Sequence, residues 1–115
     1  MVLIKLIEVG MEVVETPLEG MLIFKPKIFG DDRGYFVETW QQERYREAGV
    51  HLTFVQDNLS KSSREVLQGL HFQKNYPQGK LVMVSLREVF DVVVDIRKSS
   101  PTFGKWFGSV LSEKI

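Results

Sequence analysis

An all-β sandwich or barrel carrying one small helix is the fold class that this sequence predicts, and three observations predict it. Apolar or alternating segments of roughly four to eight residues recur at short spacing. Turns rich in Gly, Pro, Asn, Asp and Ser separate them, and a single stretch, QQERYREA at residues 41–48, has helical composition. No internal repeat, linker or low-complexity tract interrupts the pattern, so residues 11–115 read as one domain. Residues 1–10, MVLIKLIEVG, read as an N-terminal extension ahead of a second methionine, Met11.

In order along the chain, Met21–Phe24 is a short strand, and Pro26 confines it to a sheet edge because proline has no N–H to give to a ladder. Gly30-Asp31-Asp32-Arg33-Gly34 is a turn. In Tyr35–Trp40 the alternation places Tyr35, Val37 and Thr39 on one face and Phe36, Glu38 and Trp40 on the other, so Glu38 shares its face with two aromatic rings. Gln41–Ala48 is the helix, closed by Gly49 as its C-terminal cap. His51–Asn58 is another strand, followed by the polar loop Ser60–Glu65. Leu67–Phe72 is apolar enough to be a strand lining a cavity, and the turn Asn75-Tyr76-Pro77-Gln78-Gly79 leads back to Lys80, a hairpin that brings His71 and Lys80 together. In Val89–Ile96, Asp91 and Asp95 share one face with Val89 and Val93. Ser99-Ser100-Pro101 is a turn, Thr102–Phe107 is aromatic and adjacent to a strand, and Gly108–Ser112 begins the last strand.

Composition narrows the chemistry. Fifteen basic and fifteen acidic residues cancel within 115, which removes the electrostatic case for nucleic acid or an anionic membrane surface. Cysteine is absent, so there is no disulfide framework, thiol nucleophile or thiolate metal site, in keeping with a cytoplasmic protein. The apolar opening is far shorter than a membrane span and no small-residue cleavage site follows it. His51 and His71 lie too far apart in sequence, with no third histidine, for the clustered ligands of a metal enzyme, and no metal is expected. What remains is an imidazole near an ammonium, with carboxylates on the next strand. Such a group can take a proton from carbon beside a carbonyl while the cation holds the enolate. By themselves these residues have blander readings: an isolated histidine on an apolar strand is usually a hydrogen-bonded core residue, Lys80 a solvated charge, Asp91 and Asp95 a polar sheet face, Arg33 turn chemistry.

Several independent blocks decide between those readings. KPKIFGDDRGYFVETW, FVQDNLSKSS, GLHFQ, PQGKLV and EVFDVVVDIRKSSPTFGKW follow one another over nearly the whole chain. Together they resemble the dTDP-4-dehydrorhamnose 3,5-epimerase family. The resemblance implies a cupin-like jelly roll, a homodimer with exchanged strands, and a cytoplasmic isomerase of dTDP-L-rhamnose biosynthesis that uses no cofactor or metal. Its substrate would be a dTDP-linked 4-keto-6-deoxy sugar: dTDP-4-dehydro-6-deoxyglucose becomes dTDP-4-dehydro-L-rhamnose by inversion at C3 and C5. By resemblance His71 is the proton acceptor, Lys80 stabilises the enolate oxygen and Asp91 partners that lysine. Arg33, Glu38, Gln56, Asp57 and Asn58 fall on nucleotide and phosphate contacts, the first two reaching a neighbouring subunit.

The departures from the family carry expectations of their own. Gln68 stands where members have an arginine that grips the diphosphate, which weakens binding. Met83 replaces another arginine, and Arg87 stands where a glycine makes the turn before Glu-Val-Phe-Asp, straining that turn if it needs positive φ. Members also continue for roughly half as much again, and the further part carries the proton-returning tyrosine, a second histidine and the aspartate paired with the catalytic histidine. The sequence therefore reads as a shortened member with the base but not its opposing acid, whose activity would stop at proton exchange. The alternative is a noncatalytic module that binds a nucleotide sugar or only assembles with a partner.

Overall fold

The computed structural model describes residues 11–114, so the extension expected at residues 1–10 lies outside the described residues. Among the described residues the architecture is three antiparallel hairpins and one short helix: β1 (Met11–Glu15) pairs with β2 (Leu22–Pro26), β3 (Ile28–Asp31) with β4 (Gly34–Val37), and β5 (Glu88–Val94) with β6 (Trp106–Ser112), while α1 (Gln42–Glu47) follows β4. Each pair has a local cause. Thr16 closes the first hairpin, its hydroxyl donating to the Leu18 carbonyl at 3.1 Å and the Met21 carbonyl at 2.8 Å. The expected turn closes the second: Asp31 faces Gly34 in register, and Asp31 Oδ1 accepts the Arg33 N–H at 2.8 Å. Pro26 sits at the end of β2 opposite Met11, in an outer strand as its missing N–H requires. β1 itself was not legible as a strand.

The third hairpin is the longest. Its register sets Val93 opposite Phe107 and Asp91 opposite Ser109, and the Phe90 ring lies diagonally over Gly108. A Cβ added at Gly108 would stand 2.4 Å from Phe90 Cζ, so a larger residue there requires that ring to move.

Asp95 departs from its expected place on the sheet face. The strand ends at Val94, and Asp95 turns into the loop it organises, 5% exposed. Its Oδ1 accepts the N–H and Nε of Arg97, both at 3.0 Å, and its Oδ2 accepts Ser100 Oγ at 2.5 Å and Thr102 Oγ1 at 2.6 Å. Arg97 Nη2 in turn reaches the Glu19 carbonyl at 2.8 Å, joining this loop to the first hairpin. Donation by Arg97, then by Ser100 and Thr102, holds the Asp95 carboxyl far below the usual carboxylate range. A depressed folded-state value means that this contribution to stability is complete above the ordinary value of about 4 and is lost as pH falls below it. Asp95→Asn is therefore expected to lower the melting temperature at pH 7 and to flatten its decline between about pH 5 and 2. Melting curves across that range check this, and parallel wild-type and variant profiles would contradict it.

The helix matches expectation and ends as written: Gly49 has φ +109, its N–H donates to the Arg46 carbonyl at 3.0 Å, and Val50 N–H to the Tyr45 carbonyl at 2.8 Å. Tyr45 centres the apolar packing. It is 3% exposed, its ring centroid lies 4.8 Å from Phe24 and 4.6 Å from Trp40, and Trp40 meets Phe54 edge-on at 5.0 Å.

Arg87 has φ +64, the left-handed conformation foreseen for a glycine's place, and its carbonyl accepts the Glu113 N–H at 2.9 Å. Strain there is of order 1–2 kcal/mol for a residue with a Cβ. Arg87→Gly should recover about 1 kcal/mol of it, read as a higher urea midpoint with an unchanged slope; a lower midpoint would show that the arginine side chain contributes more than its backbone loses.

Two expected strands are absent. Between α1 and β5 the chain forms turns but no regular element, so neither His51–Asn58 nor Leu67–Phe72 is a strand, and the hairpin expected around Asn75–Gly79 does not form. The physical reason is that a strand needs a neighbour. No described strand lies beside this segment to accept its ladder, and no apolar layer covers it: Leu67 is 93% exposed and Phe72 72%.

Candidate functional site

The residues expected to act together fall into three groups. His71 and Lys80 are both exposed on the segment without strands, and among the described residues neither takes part in a side-chain hydrogen bond or ion pair. The His71 ring folds back over Gly69, whose added Cβ would lie 4.0 Å from the ring's Cδ2. His71 is thus not on the cavity-lining strand that the apolar run Leu67–Phe72 predicts, for the reason just given. Asp91 is half-buried on β5 opposite Ser109, and no ion pair joins it to Lys80.

Around the same segment, Gln56 Nε2 donates to Asn58 Oδ1 at 3.2 Å, Asp57 is exposed, and Gln68 Nε2 donates to Ser62 Oγ at 2.8 Å. These are polar groups open to solvent, with donors and acceptors free for a ligand.

The third group is at the tip of the second hairpin. A groove of about 370 Å³ is lined by Phe29, Asp31, Arg33, Gly34, Tyr35 and Phe36. Arg33 pairs with Asp31 through Nη2 at 2.5 Å, yet its side chain stays 90% exposed. That hydrogen bond holds the Asp31 carboxyl below, and the Arg33 guanidinium above, its ordinary value. An exposed pair of this kind is screened and adds little stability. What it provides is a guanidinium in a groove that also holds Phe29, Tyr35 and Phe36, chemistry suited to phosphate and a base.

Glu38 stands just beyond β4 and was expected on a strand face with Phe36 and Trp40. The strand stops at Val37, and the carboxylate is instead held by Arg44 of α1, Nε donating to Oε1 at 2.8 Å and Nη2 to both oxygens. Arg44 was not singled out from the sequence, because a helical arginine ordinarily reads as solvated. Tyr45 beside it donates to the Thr39 carbonyl at 2.9 Å, and burial, then the nearby Glu38 charge, pushes its phenol pKa up. Among the described residues no group of three side chains is placed to hold a metal ion, and no helix is long and apolar enough to cross a membrane.

The family profile for dTDP-4-dehydrorhamnose 3,5-epimerase matches residues 15–115. This chain belongs to the dTDP-4-dehydrorhamnose 3,5-epimerase family. It is 58% identical over 104 residues to the enzyme of that name from Shigella flexneri, covering 89% of this chain and 58% of that protein. With the epimerase from Methanothermobacter thermautotrophicus it shares 50% over 101 residues, 88% of this chain and 55% of that one. Among solved epimerases it superposes on that of Legionella pneumophila, in complex with dTDP-4-keto-L-rhamnose, with a TM-score of 0.87 and 51% identity, over 90% of this chain and 56% of the other. For the epimerase from Elizabethkingia anophelis the TM-score is 0.83 at 47% identity. The chain thus spans a little over half the length of the relatives it matches. The strand-dominated fold with one short helix is the epimerase fold, and the segment holding His71 and Lys80 lies within the aligned part.

Proposed function

We propose that this chain binds a dTDP-linked 4-keto-6-deoxy sugar and takes part in its 3,5-epimerisation, the step from dTDP-4-dehydro-6-deoxyglucose to dTDP-4-dehydro-L-rhamnose. The observation that carries this is the 58% identity to a 3,5-epimerase across 89% of the chain. In this reading His71 removes the proton at C3, and then at C5, each being acidified by the C4 ketone. The electron pair moves onto the C4 oxygen, where the Lys80 ammonium meets it, with Asp91 behind the lysine. Return of the proton to the same face gives exchange alone, and inversion requires water to protonate the opposite face of the same carbon. Arg33, Glu38, Gln56, Asp57, Asn58 and Gln68 hold the nucleotide. Gln68 can donate to a phosphate oxygen but brings no charge, so it grips a diphosphate less strongly than an arginine.

The same reading includes a cytoplasmic homodimer with exchanged strands. Supporting it are the apolar side chains left uncovered on the segment without strands, among them Val55 at 90% and Leu59 at 91% exposed, surface that a second subunit would remove from water. Titration with the 4-keto nucleotide sugar in deuterated water, followed by proton NMR, tests the function: saturable binding with exchange of the C3 hydrogen, and L-rhamno product only slowly if at all, is expected. Binding without change to the sugar would leave a noncatalytic nucleotide-sugar module, and no binding would overturn the reading.

A further inference from the structure

The Glu38 and Arg44 pair is built in a way that the needs of the fold do not explain. One turn of helix clamps residues 38–40: Gln41 Oε1 caps α1 by accepting the Arg44 N–H at 2.7 Å, Tyr45 donates to the Thr39 carbonyl, and the Tyr45 ring rests on Trp40. Within this clamp the Arg44 side chain is 13% exposed and Glu38 40% exposed, so the guanidinium lies beneath the carboxylate and the carboxylate keeps an open side. Arg44 Nη1 is buried with no acceptor among the described residues. Burying an N–H without a partner is unfavourable, and an apolar side chain of similar volume would fill the space without that loss.

We propose that Arg44 is the positioning residue for Glu38 in the binding of a nucleoside diphosphate. The proposal rests on the reading of Glu38 as a nucleotide contact. A bare carboxylate repels a diphosphate, and a freely rotating one loses entropy on binding. Arg44 answers both. It sets a positive charge under the negative one, and by donating to both oxygens it fixes their orientation. Oε1 accepts from both Nε and Nη2, whereas Oε2 accepts from Nη2 alone and keeps a lone pair for an N–H or O–H of the nucleoside.

The test is calorimetric titration of the full chain with dTDP, using Arg44→Met, which keeps the stem and removes the charge, Glu38→Gln, and the double variant. Arg44→Met is expected to weaken dTDP binding about tenfold in the natural background, but by less than about twofold once Glu38 is Gln, since the two act as one unit. Arg44→Lys should recover part of the loss, a charge without the two-oxygen grip. Equal losses in both backgrounds would make Arg44 a residue of the fold and overturn the proposal, as would no loss in either. If the natural chain takes up no dTDP, the reading of Glu38 as a nucleotide contact fails separately. The positioning claim is then read without nucleotide from the Glu38 carboxyl ¹³C resonance, which must move in Arg44→Met; an unmoved resonance overturns it.

Discussion

His71→Ala is expected to slow hydrogen exchange beside the C4 ketone by about 10²–10⁴-fold, the usual loss when one proton-transfer partner is removed. Nucleotide affinity should change little, because most of the residues proposed to hold the dTDP portion are elsewhere, Arg33 at the tip of the β3–β4 hairpin, Glu38 beyond β4 and Gln56–Asn58 upstream on the open segment, and the nearer Gln68 is bonded to Ser62 and not to His71. This separation makes the experiment informative. A side chain that supports folding would lower both affinity and exchange, whereas a base lowers exchange alone. His71 is exposed and bonded to no described side chain, so alanine there removes no packing that the described structure depends on. Exchange rates and dTDP affinity measured on one preparation check it, and unchanged exchange would remove His71 from the mechanism.

The second large effect concerns stability. Tyr45→Ala is expected to cost about 3–5 kcal/mol, the range for emptying an aromatic site in a core, out of a total of roughly 5–15 kcal/mol for a domain. Tyr45 and Leu18 are the buried apolar side chains among the described residues, and Tyr45 alone joins Phe24 of β2 to Trp40 and, through it, Phe54. Removing the ring separates the first hairpin from the helix. Tyr45→Phe keeps the ring and loses only the bond to the Thr39 carbonyl, for which about 1 kcal/mol is expected. Urea midpoints for the two variants should therefore differ severalfold in their displacement from wild type, and equal displacements would mean that the hydroxyl, not the ring, is what matters.

These two residues also show what a sequence displays and what it hides. Tyr45 lies in QQERYREA, where local composition and the following Gly49 announce a helix, and the helix is there. The β3–β4 hairpin was legible for the same reason: GDDRG carries its own turn chemistry. β5 follows from alternation and the positive φ at Arg87 from a missing glycine, while β6 begins two residues before the expected Gly108, at Trp106. β1 is hidden because MEVVE reads as the start of the domain, not as the partner of residues 22–26. The strands expected at His51–Asn58 and Leu67–Phe72 are a different failure. Alternation states that a segment suits a sheet, but pairing is nonlocal, and no neighbour among the described residues supplies it. For the site, the blocks around His71 and Lys80 made the family legible, while Arg44 and the anchoring role of Asp95 were not, since both depend on contacts that spacing along a strand does not encode. Asp95 does carry a local signal in hindsight, the arginine, serine and threonine that follow it in RKSSPT.

The central claim, that His71 in this chain draws a proton from carbon beside the C4 ketone of a dTDP-linked sugar, is tested most directly by deuterium uptake. The chain is incubated with dTDP-4-dehydro-6-deoxyglucose in deuterated water, and the C3 hydrogen is followed by proton NMR together with the configuration at C3 and C5. The account predicts loss of the C3 proton signal at a rate well above that of the sugar alone, abolished by His71→Ala. A C3 signal that persists at the uncatalysed rate, with the nucleotide sugar bound, would contradict it.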